Sequence, residues 1–167
     1  MTVGATRKKL VTVAIALLAI AFLMPLAAKE AMATRIWKKI DTTNFQLETS
    51  DPQDVLARKI NLRKRGNVAI IYSAECAVFS DFAGHRVVIN ILVDDILQTV
   101  TASKNFCSTN ADGSATGFGS HASNVVVNLL PGEHNITIRA VPVGNIPTTG
   151  VAFWISDQSL TIIAEKN

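Results

Sequence analysis

The chain has three histidines, His85, His121 and His134, and each is a place where acid–base, nucleophilic or metal chemistry could begin. A hydrolytic triad needs a nucleophile, a histidine and an orienting carboxylate brought together in space. The sequence has no G-x-S-x-G elbow and no H-E-x-x-H, and no two histidines stand at metal-ligand spacing. His134 falls in phase with Ile136 and Ile138, which places it at the rim of a packed face. Asp94 and Asp95 are adjacent, so in a strand they would point to opposite faces, and in a turn they would hydrogen-bond their own backbone. They make a poor acid–base pair. A glycan hydrolase would need carboxylates drawn from distant elements, which carry no signature. No catalytic residue is assigned.

Asn110-Ala111-Asp112-Gly113 imitates the opening of a calcium loop, but no carboxylate follows between Gly113 and His121 to complete the ligand set. An Asx-type turn explains the same four residues without a metal. The sequence implies no metal site and no cofactor. Arg63-Lys64-Arg65 could meet anionic glycans or headgroups, although a solvated turn accounts for three charges equally well. Asn135-Ile136-Thr137 is a glycosylation sequon, placed at the start of a strand-like run. The residues best suited to touch a ligand are aromatic. Phe106, Phe118 and Trp154 form a tentative ligand surface, because exposed rings stack on the apolar faces of sugars and two of the three lie in one open loop.

Cys76 and Cys107 are the only cysteines. Their spacing gives neither a C-x-x-C redox pair nor a zinc set, and an even count in an exported chain reads as one disulfide. Closing a loop of roughly 30 residues this way stabilises a fold by about 2–4 kcal/mol.

The elements that must position these residues are strands. "RVVINILV" puts Val87, Ile89, Ile91 and Val93 on one face and Arg86, Val88, Asn90 and Leu92 on the other. "VLARKINL" aligns Leu56, Ile60 and Leu62, with Arg58 interrupting, although "DPQD" before it could open a helix. With the polar turn "RKRGN" and the run "VAIIYSA" it reads as a hairpin. Asp94-Asp95 turns the chain into "ILQTVTA" as a second arm. "SNVVVNLL" exposes Asn124, Val126 and Asn128; "NITIRAV" points Ile136 and Ile138 inward; "SLTIIAE" aligns Leu160, Ile162 and Ala164. Between the arm and "SNVVVNLL" lies the glycine-bearing loop Asn105–His121. Six or seven short strands between turn signals, with no convincing helix after the N-terminal segment, define an all-β, two-sheet antiparallel β-sandwich. Jelly-roll topology is expected first and an immunoglobulin-like sandwich second.

The N-terminus belongs to a different class. Arg7-Lys8-Lys9 precedes the apolar run Leu10–Ala28, and Ala31 and Ala33 satisfy the small-x-small rule. Residues 1–33 read as a hydrophobic signal helix, with cleavage after Ala33 preferred over Ala28. An uncleaved anchor is the alternative, since the run just reaches the roughly 18 residues needed to span a bilayer. Residues 34–50 then form an N-terminal arm leading to a first strand near "NFQLET", and residues 51–167 form the sandwich domain. A secreted, periplasmic or cell-surface location follows. This segment also explains the 49% hydrophobic composition and the mean hydropathy of +0.30. The formal charge of +3 is equally local: Arg7, Lys8, Lys9 and Lys29 against Glu30 leave 12 basic and 12 acidic residues in the remainder. The pI near 9.0 therefore carries no argument for nucleic acid.

Together, "YSAEC" (72–76), "INILVDD" (89–95), "FC" (106–107), "LLPGEHNITIRA" (129–140) and "SDQSLTII" (156–163) resemble a pattern found in a group of uncharacterised secreted bacterial β-sandwich proteins. The similarity runs from about Val55 to Glu165. Asp95 stands where that pattern usually has glycine. The resemblance implies export, a sandwich fold and the Cys76–Cys107 bridge, and it implies no catalytic residue.

The sequence thus describes a non-enzymatic exported module for binding or structure, at the cell surface or in the extracellular or periplasmic space. Its partner would be a glycan or a protein; a membrane enters only if residues 1–33 stay attached. Exposed strand edges leave homo-oligomers open. The alternatives are a carbohydrate-binding module using Phe118 and Trp154, and a glycan hydrolase with a carboxylate pair that no motif marks.

Overall fold

The computed structural model describes residues 34–47, 50–80, 83–98, 105–110, 116–144 and 151–165. The reading of residues 1–33 as a signal helix or anchor lies outside them, and so does the turn from Ala111 to Gly113. Thr34–Asn167 forms one compact unit. Among the described residues all regular structure is strand: β1 (Arg35–Asp41), β2 (Phe45–Leu47), β3 (Gln53–Leu62), β4 (Gly66–Ser80), β5 (Arg86–Val93), β6 (Ile96–Leu97), β7 (Cys107–Ser108), β8 (Gly119–Leu129), β9 (Gly132–Val143) and β10 (Val151–Ala164). The chain is already in a strand at Arg35, ahead of the "NFQLET" segment. "DPQD" opens β3 and not a helix.

One sheet runs β1-β10-β4-β8, with β2 also against β10. The other runs β3-β9-β5-β6, with β7 also against β5. Every pairing is antiparallel. The order has a simple origin. The early half of the chain pairs with the late half in reverse, β1 with β10, β3 with β9 and β4 with β8. The resulting long double ribbon is rolled until β10 also meets β4 and β9 also meets β5. This is the jelly roll; an immunoglobulin-like sandwich would instead pair its first two strands with each other.

Rolling corrects one expectation from the sequence. β3 and β4 are not a hairpin: β3 lies in one sheet and β4 in the other, and Arg63-Lys64-Arg65 forms the corner between them. A polar turn between two apolar runs looks the same whether the runs pair or part. The hairpin that does form is β5–β6. Asp94 and Asp95 take positive φ values of 50° and 64°, the type I′ geometry that matches strand twist. Asp95 therefore adopts the conformation for which glycine is the usual residue.

Alternation places the core. Val68, Ile70, Tyr72, Ala74, Cys76 and Val78 of β4 all point between the sheets and are buried. They face Val87, Ile89, Ile91 and Val93 of β5 and Ile136 and Ile138 of β9. Each such aliphatic side chain, fully removed from water, stabilises the fold by roughly 1.5–3 kcal/mol. On β10 the phase switches. Phe153 and Ile155 point inward before a bulge between Ser156 and Ser159, and Leu160, Ile162 and Ala164 point inward after it. Asp157, at φ 46°, absorbs the extra residue. The bulge turns Gln158 into the core, where its Oε1 accepts a 3.0 Å hydrogen bond from the Tyr72 hydroxyl. Burial pushes the Tyr72 hydroxyl pKa well up, so it stays a donor at any physiological pH.

The disulfide is formed between Cys76 on β4 and Cys107 on β7, one in each sheet, with a Cα–Cα distance of 6.0 Å. β4 continues through Cys76 to Ser80, so the bridge leaves from within the strand and crosses the sandwich.

Candidate ligand-binding surface

The three aromatic residues singled out by the sequence do not end up together. Phe106 is only 2% exposed. Its ring lies between Tyr72, at a centroid distance of 5.6 Å, and His121, at 5.4 Å. The neighbouring Cys107 is bonded across the sandwich, and the Phe106 N–H donates to the Val87 carbonyl at 2.8 Å. Phe106 is therefore a core residue and no part of a surface, because the covalent tie draws it inward with its neighbour.

Phe118 and Trp154 remain available. The Thr116 N–H donates to Val78 O at 3.1 Å, and the Thr116 hydroxyl donates to Ser108 O, also at 3.1 Å. These bonds lay residues 116–118 along the far part of β4, in continuation of the β8 ladder that starts at Gly119 opposite Cys76. Phe118 is 48% exposed and meets Phe79 edge to face at 6.4 Å. Trp154 sits on β10 with Gln46 on one side and Ala77 on the other. Phe79 and Ala77 are two residues apart on β4, so Trp154 and Phe79 are diagonal neighbours on the same outer face. Ala77 also points to that face and is fully buried, as expected beneath bulky neighbours.

Phe79 lies beyond the run "VAIIYSA" that marks this strand in the sequence, because β4 continues to Ser80. Continuing the alternation of β4 through Glu75 and Ala77 reaches it. The next row of the same face is polar: Ser156, Glu75 and Ser120 are partners across three strands. Aromatic rings beside the Glu75 carboxylate, the Ser120 hydroxyl and the Gln46 amide, with Ser156 buried beneath them, can stack on an apolar ring face and hydrogen-bond its substituents.

The other reactive groups have structural partners. Ser80 Oγ and His85 Nδ1 are 2.7 Å apart, yet Ser80 is 5% and His85 3% exposed. Phe153 covers the imidazole edge to face, and the Thr109 N–H donates to the His85 carbonyl. Gly144, at φ +132°, leaves room for that ring, since a Cβ there would lie 2.4 Å from it. This buried pair joins the β4–β5 connection to β7 and the end of β9. It offers substrate no access.

At the opposite end of the sandwich His134 and Asp94 form a clamp. Asp94 Oδ2 accepts from His134 Nδ1 at 2.7 Å, Asp94 Oδ1 accepts from the Asn135 N–H at 2.8 Å, and the Asp94 N–H donates to Asn135 O at 2.9 Å. His134 Nε2 meets the Leu130 carbonyl at 2.9 Å. The hydrogen bond from His134, with that from the Asn135 N–H, holds the Asp94 carboxyl below the usual range. Burial alone would depress His134, but its bonds to Asp94 and Leu130 O outweigh that and hold it above its usual value. The sequon Asn135 donates to the Thr137 hydroxyl at 3.2 Å, and Thr137 is buried.

No protein-family model matches the chain, and no curated protein matches it. Among solved structures it is similar to that of the infectious bursal disease virus Gt strain, at 11% identity and a TM-score of 0.51, over 80% of this chain and 33% of that one. The VP2 subviral particle of infectious bursal disease virus is similar at 14% identity and a TM-score of 0.50, over the same shares of 80% and 33%. This chain thus spans about a third of the length of the viral chains it matches. At these identities the likeness shows the fold, a β-sandwich of jelly-roll type. A family 35 carbohydrate binding module from Clostridium thermocellum aligns over 77% of this chain and 90% of that one at 19% identity, but with a TM-score of 0.35 that alignment carries no argument.

Proposed function

We propose that this protein is an exported, non-enzymatic binding module, and that its ligand is a carbohydrate held on the outer face of the β1-β10-β4-β8 sheet by Phe79, Phe118 and Trp154. The observation that carries the reading is the exposure of Phe118 (48%) and Phe79 (38%) on one face with Trp154, beside the polar row of Glu75, Ser120 and Ser156. Rings left this accessible on a sheet face meet a partner more usefully than they meet water. Export is supported by the disulfide, by the basic and apolar pattern of residues 1–33, and by the resemblance to secreted bacterial sandwiches.

The test is a glycan array on the exported protein, followed by calorimetry with the best binder. Trp154→Ala and Phe118→Ala are each expected to weaken binding about tenfold, the loss of one stacking contact of about 1.4 kcal/mol. Retention of no glycan, or affinity unchanged in both variants, would refute the reading.

A further inference from the structure

Among the described residues the two sheets have four edges, and three of them are closed to further strands. The β1–β2 edge carries Arg35, Lys38, Lys39 and Asp41 in β1 and breaks at Thr43, whose N–H and hydroxyl both donate to Asp41 Oδ1. The β3 edge is bulged between Asp54 and Leu56 and bears exposed Arg58 and Lys59. Two side chains from β1 also occupy its carbonyls, Lys39 Nζ on Ala57 O at 3.0 Å and Arg35 Nη1 on Asn61 O at 3.2 Å. The β6 and β7 edge consists of strands two residues long. Charge, bulges and brevity are the ordinary means by which an edge is kept from pairing.

β8 has none of them. It is 11 residues long, Gly119–Leu129, with unbroken register against β4 from Cys76↔Gly119 to Gly66↔Leu129. It contains no Asp, Glu, Lys, Arg or Pro, and among the described residues it pairs with β4 alone. Its outward side chains are Ser120, Ala122, Asn124, Val126 and Asn128, with Val126 67% exposed.

We propose that this edge binds a second copy of the same chain, β8 against β8 in antiparallel register, so that two four-strand ladders become one continuous sheet. A two-fold axis perpendicular to the sheet keeps like faces together and, with the full strand overlapping, passes through its midpoint at Asn124. Asn124 then meets Asn124, Val126 meets Ala122, and Asn128 meets Ser120. No like charges oppose one another, whereas the same operation on β1 would bring lysines together. The amides are self-complementary, each able to donate and accept, and β8 already makes that pair on its other side, where Asn128 Nδ2 donates to Asn67 Oδ1 at 3.0 Å.

Sedimentation of the protein from the exported fraction, over a micromolar concentration series, tests this. The wild type is expected to run as a dimer. Val126→Lys should raise the dissociation constant at least tenfold, and adding Ala122→Glu to it should restore the dimer through two Lys–Glu pairs across the axis. Both positions are exposed, and a retained disulfide and unchanged circular dichroism would show that the variants fold. A wild type that is monomeric throughout, or that captures only strands of other proteins, would overturn the proposal. A dimer indifferent to Val126→Lys, or loss without rescue, would overturn the register centred on Asn124.

Discussion

Two polar pairs decide how much single residues matter. Tyr72 and Gln158 are both buried between the sheets, where the Tyr72 hydroxyl donates to the Gln158 side-chain carbonyl. Tyr72→Phe keeps the ring and strands the Gln158 carbonyl, so it should destabilise the protein by about 1–3 kcal/mol, measured by urea unfolding. The double variant Tyr72→Phe/Gln158→Met should recover part of that loss, because neither member of the pair then leaves the other without a partner. His134 makes a sharper case. Both of its nitrogens face acceptors, a carboxylate and a backbone carbonyl, so only the imidazolium can donate to both. Its raised pKa contributes stability that is complete below about 6.5 and lost as pH rises through the folded-state value. The lowered pKa of Asp94 contributes stability that is complete above about 3.8 and lost as pH falls through its own folded-state value. The clamp is thus strongest between these limits. His134→Gln should cost about 1 kcal/mol near pH 5, with Asp94 half exposed, and progressively less above neutrality. A thermal-melt difference that does not vary between pH 5 and pH 9 would contradict this.

At the scale of elements, alternation revealed which side of a strand is wet but not which strand lies beside it. The inward set of β5, Val87, Ile89, Ile91 and Val93, is buried as its period requires, and Asn124, Val126 and Asn128 of β8 are exposed as theirs requires. A polar turn at Arg63-Lys64-Arg65 reads as a hairpin because the partners of β4 are β8 and β10, both far along the chain, and no local signal marks such distant pairings. The bulge at Asp157 leaves only a change of phase in the sequence, Phe153 and Ile155 before it and Leu160 and Ile162 after it, and its extra residue is assigned by the register of β4. Phe106 and Phe118 share one loop in sequence, and what separates a core ring from a surface one is the disulfide with the Phe106 N–H bond to Val87 O on one side and the Thr116 bonds along β4 on the other. The outer aromatic face is therefore half legible in the sequence: Phe118 and Trp154 lie on it, Phe79 joins them without a signal of its own in the sequence, and Phe106 lies in the core. The β5–β6 turn is an element whose chemistry can be improved. Asp95→Gly relieves a left-handed residue without touching the carboxylate of Asp94, and it should stabilise the protein by about 1 kcal/mol in thermal or urea melts.

For the whole molecule, the rolled ribbon has a mechanical consequence. Arg35 and Ala164 are partners at the same end of neighbouring antiparallel strands. Tension between the two ends of the domain therefore opens the β1–β10 ladder one pair at a time, as a zipper. Tension between residue 34 and residue 152, at the far end of β10, loads the same ladder in shear and must break many pairs at once. Force spectroscopy with these two attachment schemes should find the first markedly weaker. Cys76–Cys107 withholds the chain between them from extension, a sequence separation of 31. Adding reductant should lengthen the fully extended molecule by roughly 100 Å. A protein of this build yields easily when pulled by its ends, and the covalent crosslink between its sheets limits how far it can run out.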